Sequence, residues 1–208
     1  MITTRSFAAI GAITGWFAIL SQLAISISAR SVSLAEQLFR FIGYFTITTN
    51  ILVALCFTLY CLPGNSRNDR LMTRPDAVFS IMVFIIMVAI IYNVILRPLG
   101  MPSGFPLLVN ELLHVVQPLL FVFFWAFFIP KDELRWKTFV PWLFYPIIYI
   151  LYVVVLGAFT GHYPYPFADV GKLGYNRALF NGLLILGAFL LLAFLLQGLV
   201  RLCKARLS

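Results

Sequence analysis

Of the seven acidic residues in this 208-residue chain, Glu111 alone falls inside an apolar run; Glu36, Asp69, Asp76, Asp132, Glu133 and Asp169 lie between runs. Glu111 belongs to Asn110-Glu111-Leu112-Leu113-His114-Val115-Val116-Gln117-Pro118. On an α-helix Asn110, His114 and Gln117 stand at i, i+4 and i+7, with Glu111 three residues before His114, so the four make one polar stripe. A second run carries Thr46, Thr48, Thr49 and Asn50, of which Thr46, Thr49 and Asn50 share a helical face, and a third ends in Tyr92, Asn93 and Arg97. Threonine is a weak nucleophile at its own pKa and needs a base such as histidine to take its proton as it attacks. Asn50, Asn110 or a tyrosine hydroxyl could then stabilise an oxyanion in a water-poor pocket. Glu111 has two uses, orienting His114 or pairing with Arg97.

Each residue also has a plainer reading. Threonines in membrane helices commonly bond back to a carbonyl one turn earlier, which would make Thr46, Thr48 and Thr49 structural. A histidine or glutamate in hydrocarbon is costly and points to function. His162, between two runs, reads as a solvated loop histidine. A catalytic zinc wants three protein ligands, and His114, Glu111 and His162 would have to meet across a loop. Cys56, Cys61 and Cys203 make neither a metal spacing with the histidines nor an even-numbered disulfide framework. No Gly-rich phosphate loop precedes a helix. Neither a metal nor a cofactor is expected.

The elements that must position these groups follow from composition. The chain is 62% apolar and 11% charged, against about half and about a quarter in soluble domains. Six apolar runs are long enough to cross a bilayer: Phe7 to Ile27, Phe39 to Leu62, Ala77 to Leu96, Leu107 to Ile129, Thr138 to Ala158 and Ala178 to Val200. The expected fold is an all-α integral membrane protein, six transmembrane helices in one bundle over residues 1–208, without an extramembrane catalytic module. Arg5 and the small residues Ser26 to Arg30 would also suit a signal peptide, but the first run exceeds a typical h-region.

The net charge of +8 would suggest nucleic acid in a soluble chain. Here the cations lie in the connections and report topology. With the N-terminus inside, the inner side holds ten, Arg5, Arg67, Arg70, Arg74, Lys131, Arg135, Lys137, Arg201, Lys204 and Arg206, and the outer side five, Arg30, Arg40, Arg97, Lys172 and Arg177. Both termini are therefore expected to be cytoplasmic, and no nucleic-acid partner is expected. Thr46 is seven residues past Phe39 and His114 seven past Leu107, so both lie about 10 Å below the outer boundary. Asn93 and Arg97 belong to the same half. The last outer connection, Phe159 to Arg177, contains Tyr163-Pro164-Tyr165-Pro166-Phe167, which reads either as a cover over the outer mouth or as an interfacial aromatic belt.

Four segments together carry a resemblance: Tyr44-Phe45-Thr46-Ile47-Thr48-Thr49-Asn50, His114-Val115-Val116-Gln117-Pro118, Tyr145-Pro146 with Tyr149, and Tyr163-Pro164-Tyr165-Pro166-Phe167. Over essentially its whole length the chain resembles bacterial six-span membrane proteins distantly related to the androgen-induced protein family. The resemblance implies an intramembrane threonine hydrolase of lipid esters, including fatty acid esters of hydroxy fatty acids, in the plasma membrane of a bacterium. Carried over residue by residue, it makes Thr46 the nucleophile and His114 the base, with Thr48 and Thr49 the other candidates for the nucleophile. Thr49, Asn50, Asn93, Arg97, Asn110, Glu111 and Gln117 are the supporting residues, and the substrate is expected to enter sideways from the outer leaflet. A different class of function, a small-molecule or ion transporter or binding protein, would use Glu111, His114, Arg97 and Asn93 as a polar pocket. A third is a structural membrane protein whose polar layer is interhelical glue.

Overall fold

A computed structural model describes residues 3–62, 71–131 and 139–205. Arg67, Arg70, Arg135, Lys137 and Arg206, the acids Asp69, Asp132 and Glu133, and Thr138 at the predicted start of the fifth span lie outside the described residues, as do the side chains of Cys203 and Lys204. The described residues are helical and contain no strand. Five helical stretches are long and apolar enough to cross a membrane: Thr4–Ser28, Pro75–Leu99, Phe105–Phe128, Val140–Thr160 and Tyr175–Leu202. A sixth exists if a bent pair, Leu34–Ile42 with Phe45–Cys61, is one span. These features mark a multi-pass membrane protein.

The chain divides into two compact units, Met1–Pro130 and Lys131–Ser208. In the first, α1 (Thr4–Ser28), α2 (Leu34–Ile42), α3 (Phe45–Cys61) and α4 (Pro75–Ile91) are followed by α5 (Phe105–Glu111) and α6 (Gln117–Phe128). The predicted second span, Phe39 to Leu62, is not one straight helix: α2 and α3 meet at 74° across Gly43 and Tyr44. Ser33 caps α2 by accepting from Glu36 N at 3.2 Å, and Arg40 pairs with Glu36 at 2.5 Å. A helix with these charges on one side resists burial in hydrocarbon, whereas α3 has none.

Small residues let α1 pack closely. Ala8, Gly11, Ala12, Gly15 and Ala18 are all buried. A Cβ on Gly11 would lie 2.5 Å from the Phe57 ring, and one on Gly15 would collide with the Gln117 amide. This small-residue spacing of four lets helix backbones approach in a bilayer, where apolar burial supplies little force between helices. Phe57 stacks edge-on against Phe121 and Phe124, with centroids 5.2 and 5.1 Å apart, while α4 runs through the core with Val78, Ile81, Phe84 and Ile85 wholly buried.

The second unit contains α7 (Phe144–Thr160), α8 (Val170–Leu173) and α9 (Tyr175–Ala205). Gly161, with φ of +67°, takes the left-handed conformation that ends α7. The aromatic connection then packs on its own unit. Tyr163 covers Gly157, Tyr165 stacks on Phe167 at 5.1 Å, and Asn181 Nδ2 donates to Phe167 O at 2.9 Å.

Candidate functional site

Two widened turns, where α-helix gives way to π-helix, bring the polar residues of the first unit together. After α4, residues Tyr92–Leu96 form a π-turn, and between α5 and α6 so do Leu112–Val116. Each has a proline just beyond it, Pro98 and Pro118. Proline supplies no N–H, and its ring clashes with the carbonyl four residues back, here Val94 O and His114 O. Such turns recur at functional sites.

The second turn leaves carbonyls that need donors. Gln117 N–H bonds to Leu112 O, the five-residue spacing of a π-turn. That diverts the donor that a regular α-helix would bring to Leu113 O, and the next residue is Pro118, which has none. The gap is filled from other helices. Asn50 Nδ2 on α3 donates to Leu113 O at 3.2 Å and to Thr46 O at 2.8 Å. Asn93 Nδ2, in the first π-turn, donates to His114 O at 3.4 Å and to Ala89 O at 2.8 Å. Two asparagines thus stitch the irregular backbone that carries His114, as irregular backbone in a membrane requires.

His114 is then fixed on three sides. Its Nδ1 lies 2.8 Å from Asn110 O, and because a carbonyl only accepts, Nδ1 carries the proton of the neutral ring. Nε2 is therefore an acceptor, and Thr46 Oγ1 lies 3.3 Å from it. The ring stacks on Tyr92 with centroids 3.8 Å apart and planes 20° from parallel. The Tyr92 hydroxyl accepts from Asn110 Nδ2, and the Arg97 guanidinium sits 5.4 Å over the Tyr92 ring.

Thr46 is the second residue of α3. The first-turn amides of a helix project from its end, where the dipole is positive and favours negative charge. The bend at Gly43 and Tyr44 brings this helix end, rather than the middle of a continuous helix, to His114. Thr46 is 9% exposed.

The structure therefore brings together Thr46, Asn50, Asn93, Arg97, Asn110, Glu111 and His114. Arg97 Nη2 donates to both Glu111 oxygens, at 2.5 and 2.7 Å, so Glu111 holds the arginine rather than orienting the histidine. Gln117 departs from the expected stripe: it is wholly buried against α1 and donates to Gly11 O at 3.0 Å. The π-turn between His114 and Gln117 adds a residue to the turn, which rotates position 117 off the His114 face. Asn50 spends both amide hydrogens on carbonyls, so it is not the oxyanion donor that the sequence suggested. The Tyr92 hydroxyl accepts from Asn110 Nδ2 and so keeps its own proton.

Thr48 Oγ1 bonds back to Phe45 O at 3.2 Å, and Thr49, one turn after Thr46, is wholly buried. Cys56 and Cys61 donate to Met72 O and Phe57 O. His162 N donates to Thr160 Oγ1 at 3.2 Å in the second unit, where Tyr145, Tyr149 and Tyr152 also lie, on α7. Among the described residues no three His, Cys, Asp or Glu side chains gather as a metal site.

A groove of about 460 Å³, lined from Ile86 to Val94 on one side and from His114 to Val122 on the other, runs between α4 and α6 and their π-turns. Its polar lining residues are Asn93 and His114; Thr46 is not among the residues that line it. Two features escaped the sequence reading. The stacking of Tyr92 on His114 and the two π-turns carry as much of the geometry as the catalytic candidates. Their visible signals were Pro98 and Pro118, each four residues after the carbonyl it orphans.

In comparisons with known proteins no family model matches the chain, and no curated protein and no solved structure matches it.

Proposed function

We propose that this chain is an intramembrane hydrolase of lipid esters with Thr46 as nucleophile and His114 as general base, a distant relative of the androgen-induced protein family. The observation that carries the reading is the relay Thr46 Oγ1, His114 Nε2 at 3.3 Å, and His114 Nδ1 at 2.8 Å from Asn110 O. It is the arrangement of an activated nucleophile, in which a base touches the nucleophile and a third group fixes the base.

In the proposed reaction Thr46 Oγ1 bonds to the ester carbonyl carbon while its proton passes to Nε2. The positive end of α3, where Thr46 is the second residue, favours the negative charge that develops on the carbonyl oxygen. As the C–O bond to the alcohol breaks, Nε2 returns the proton to the departing oxygen, leaving an acyl ester on Thr46. Water, giving a proton to the same nitrogen, then releases the acid and restores Thr46. Six spans, the plasma membrane of a bacterium and lateral entry from the outer leaflet complete the proposal, and the ten-to-five split of the loop cations supports placing both termini on the cytoplasmic side. The transporter alternative rests on a carboxylate in the membrane, and Glu111 is neutralised by Arg97.

The test is turnover of a fluorogenic fatty ester by purified protein in detergent. Wild type is expected to hydrolyse it, with Thr46→Ala and His114→Ala reduced about a thousandfold or more. Undiminished turnover in Thr46→Ala rejects the assignment.

A further inference from the structure

We propose that the groove between α4 and α6 binds a single-chain amphiphile whose polar end donates a hydrogen bond, a long-chain alcohol being the simplest of the class. The groove falls within the size range of small-molecule sites at about 460 Å³. From Ile86 to Val94 it follows eight residues of helix, or about 12 Å. A peptide residue contributes three backbone bonds to an extended length of about 3.6 Å, so a stretched carbon chain advances about 1.2 Å per bond and the groove takes about ten carbons. Its rim residues Ile90, Val94 and Leu119 are exposed, as lipid-facing side chains are.

Apolar walls alone select nothing here, because a hydrocarbon chain in a bilayer is already in an apolar solvent. Selection falls to the polar end, at Asn93 and His114. Asn93 has committed both amide hydrogens, to Ala89 O and His114 O. What remains for a ligand is its carbonyl oxygen, which only accepts. His114 Nδ1–H is likewise committed, to Asn110 O. The end of the groove is therefore complementary to a donor. A hydroxyl in hydrocarbon without a partner is costly, so an alcohol gains by placing it there, while an alkane or an ether of equal length gains nothing. The claim goes beyond ester cleavage and does not need Thr46 to react, although the alcohol that cleavage releases belongs to the same class.

The test uses the full chain in phosphatidylcholine nanodiscs and decan-1-ol carrying a mid-chain diazirine, with crosslinks mapped by peptide mass spectrometry. Crosslinks are expected within residues 86–94 and 114–122, reduced at least tenfold by excess decan-1-ol but not by decane or decyl methyl ether. Because Asn93→Val also removes a stitch of the π-turn, Ala89→Phe, which fills the groove from its floor, is the second variant. Both are expected to lose at least nine-tenths of the labelling, and Thr46→Ala to keep it even where ester turnover is lost. Competition by decane or the ether equal to that of the alcohol, or full labelling of Ala89→Phe, overturns the proposal. So does the absence of groove crosslinks because bilayer lipid or a second copy of the chain holds the site.

Discussion

The hydrogen bond from His114 Nδ1 to Asn110 O, 2.8 Å long, decides what the ring can do next. It consumes the one proton of the neutral imidazole and leaves Nε2 as a base facing Thr46. The three nearby threonines are therefore not equivalent. Thr48 turns its hydroxyl back to Phe45 O, so Thr48→Ala is expected to keep most of the ester turnover that Thr46→Ala loses. Because Glu111 is held by Arg97 and does not touch the ring, Glu111→Gln is expected to slow turnover less than about tenfold, which steady-state kinetics would show. Asn50 has a different weight. Replacing it by leucine bares Leu113 O but also removes Asn50 Oδ1, a buried acceptor without a partner. The net loss of stability is expected to be about 1–2 kcal/mol, read as a lower melting temperature in detergent. At this scale the sequence was informative: the cost of polar groups in hydrocarbon singled out Thr46, Thr48, Thr49, Asn50, Asn93, Arg97, Asn110, Glu111, His114 and Gln117, of which Gln117 packs against α1 instead. It did not choose between the two uses of Glu111, since both partners are within reach on paper.

The helices supply what residue types alone do not. A straight-helix reading puts Gln117 on the His114 face, and the π-turn at Leu112–Val116 takes it off. Pro118 was legible in the sequence, but proline fits a kink, a helix start or a widened turn, and Asn50 of α3 with Asn93 of the π-turn after α4 selects among them. Pro118→Ala restores an N–H that can reach His114 O. It is expected to favour a regular helix, to leave stability unchanged or higher, and to lower ester turnover at least tenfold by rotating His114 away from Thr46. The bend between α2 and α3 was hidden for a related reason: the run from Phe39 to Leu62 has one charge, Arg40, near its start and no proline to mark a break, while the turn is made by extended backbone at Tyr44. Gly11 and Gly15 were visible as a small-residue pair. A methyl group at Gly15 meets the buried Gln117 amide, so Gly15→Ala is expected to destabilise the protein by about 1–3 kcal/mol through overpacking, measurable by thermal unfolding in detergent.

For the whole molecule, an apolar composition of 62% dictates several membrane-crossing helices, and composition made that much legible without structure. Orientation rests on the loop cations. With a cysteine-free background, Ser31→Cys and Ser103→Cys are expected to react with a membrane-impermeant maleimide on intact cells, and Ser208→Cys only after permeabilisation. The polar layer would then lie toward the outer face, with the positive end of α3 directed at it. Whether that layer is a reaction centre is decided most directly by treating the purified protein with a fluorophosphonate and locating the adduct by peptide mass spectrometry. A phosphonyl group on Thr46 Oγ1 that forms in wild type and fails to form in His114→Ala is the expected result. An adduct on another residue, or one on Thr46 that forms equally well without His114, would contradict the assignment of Thr46 and His114 as nucleophile and base.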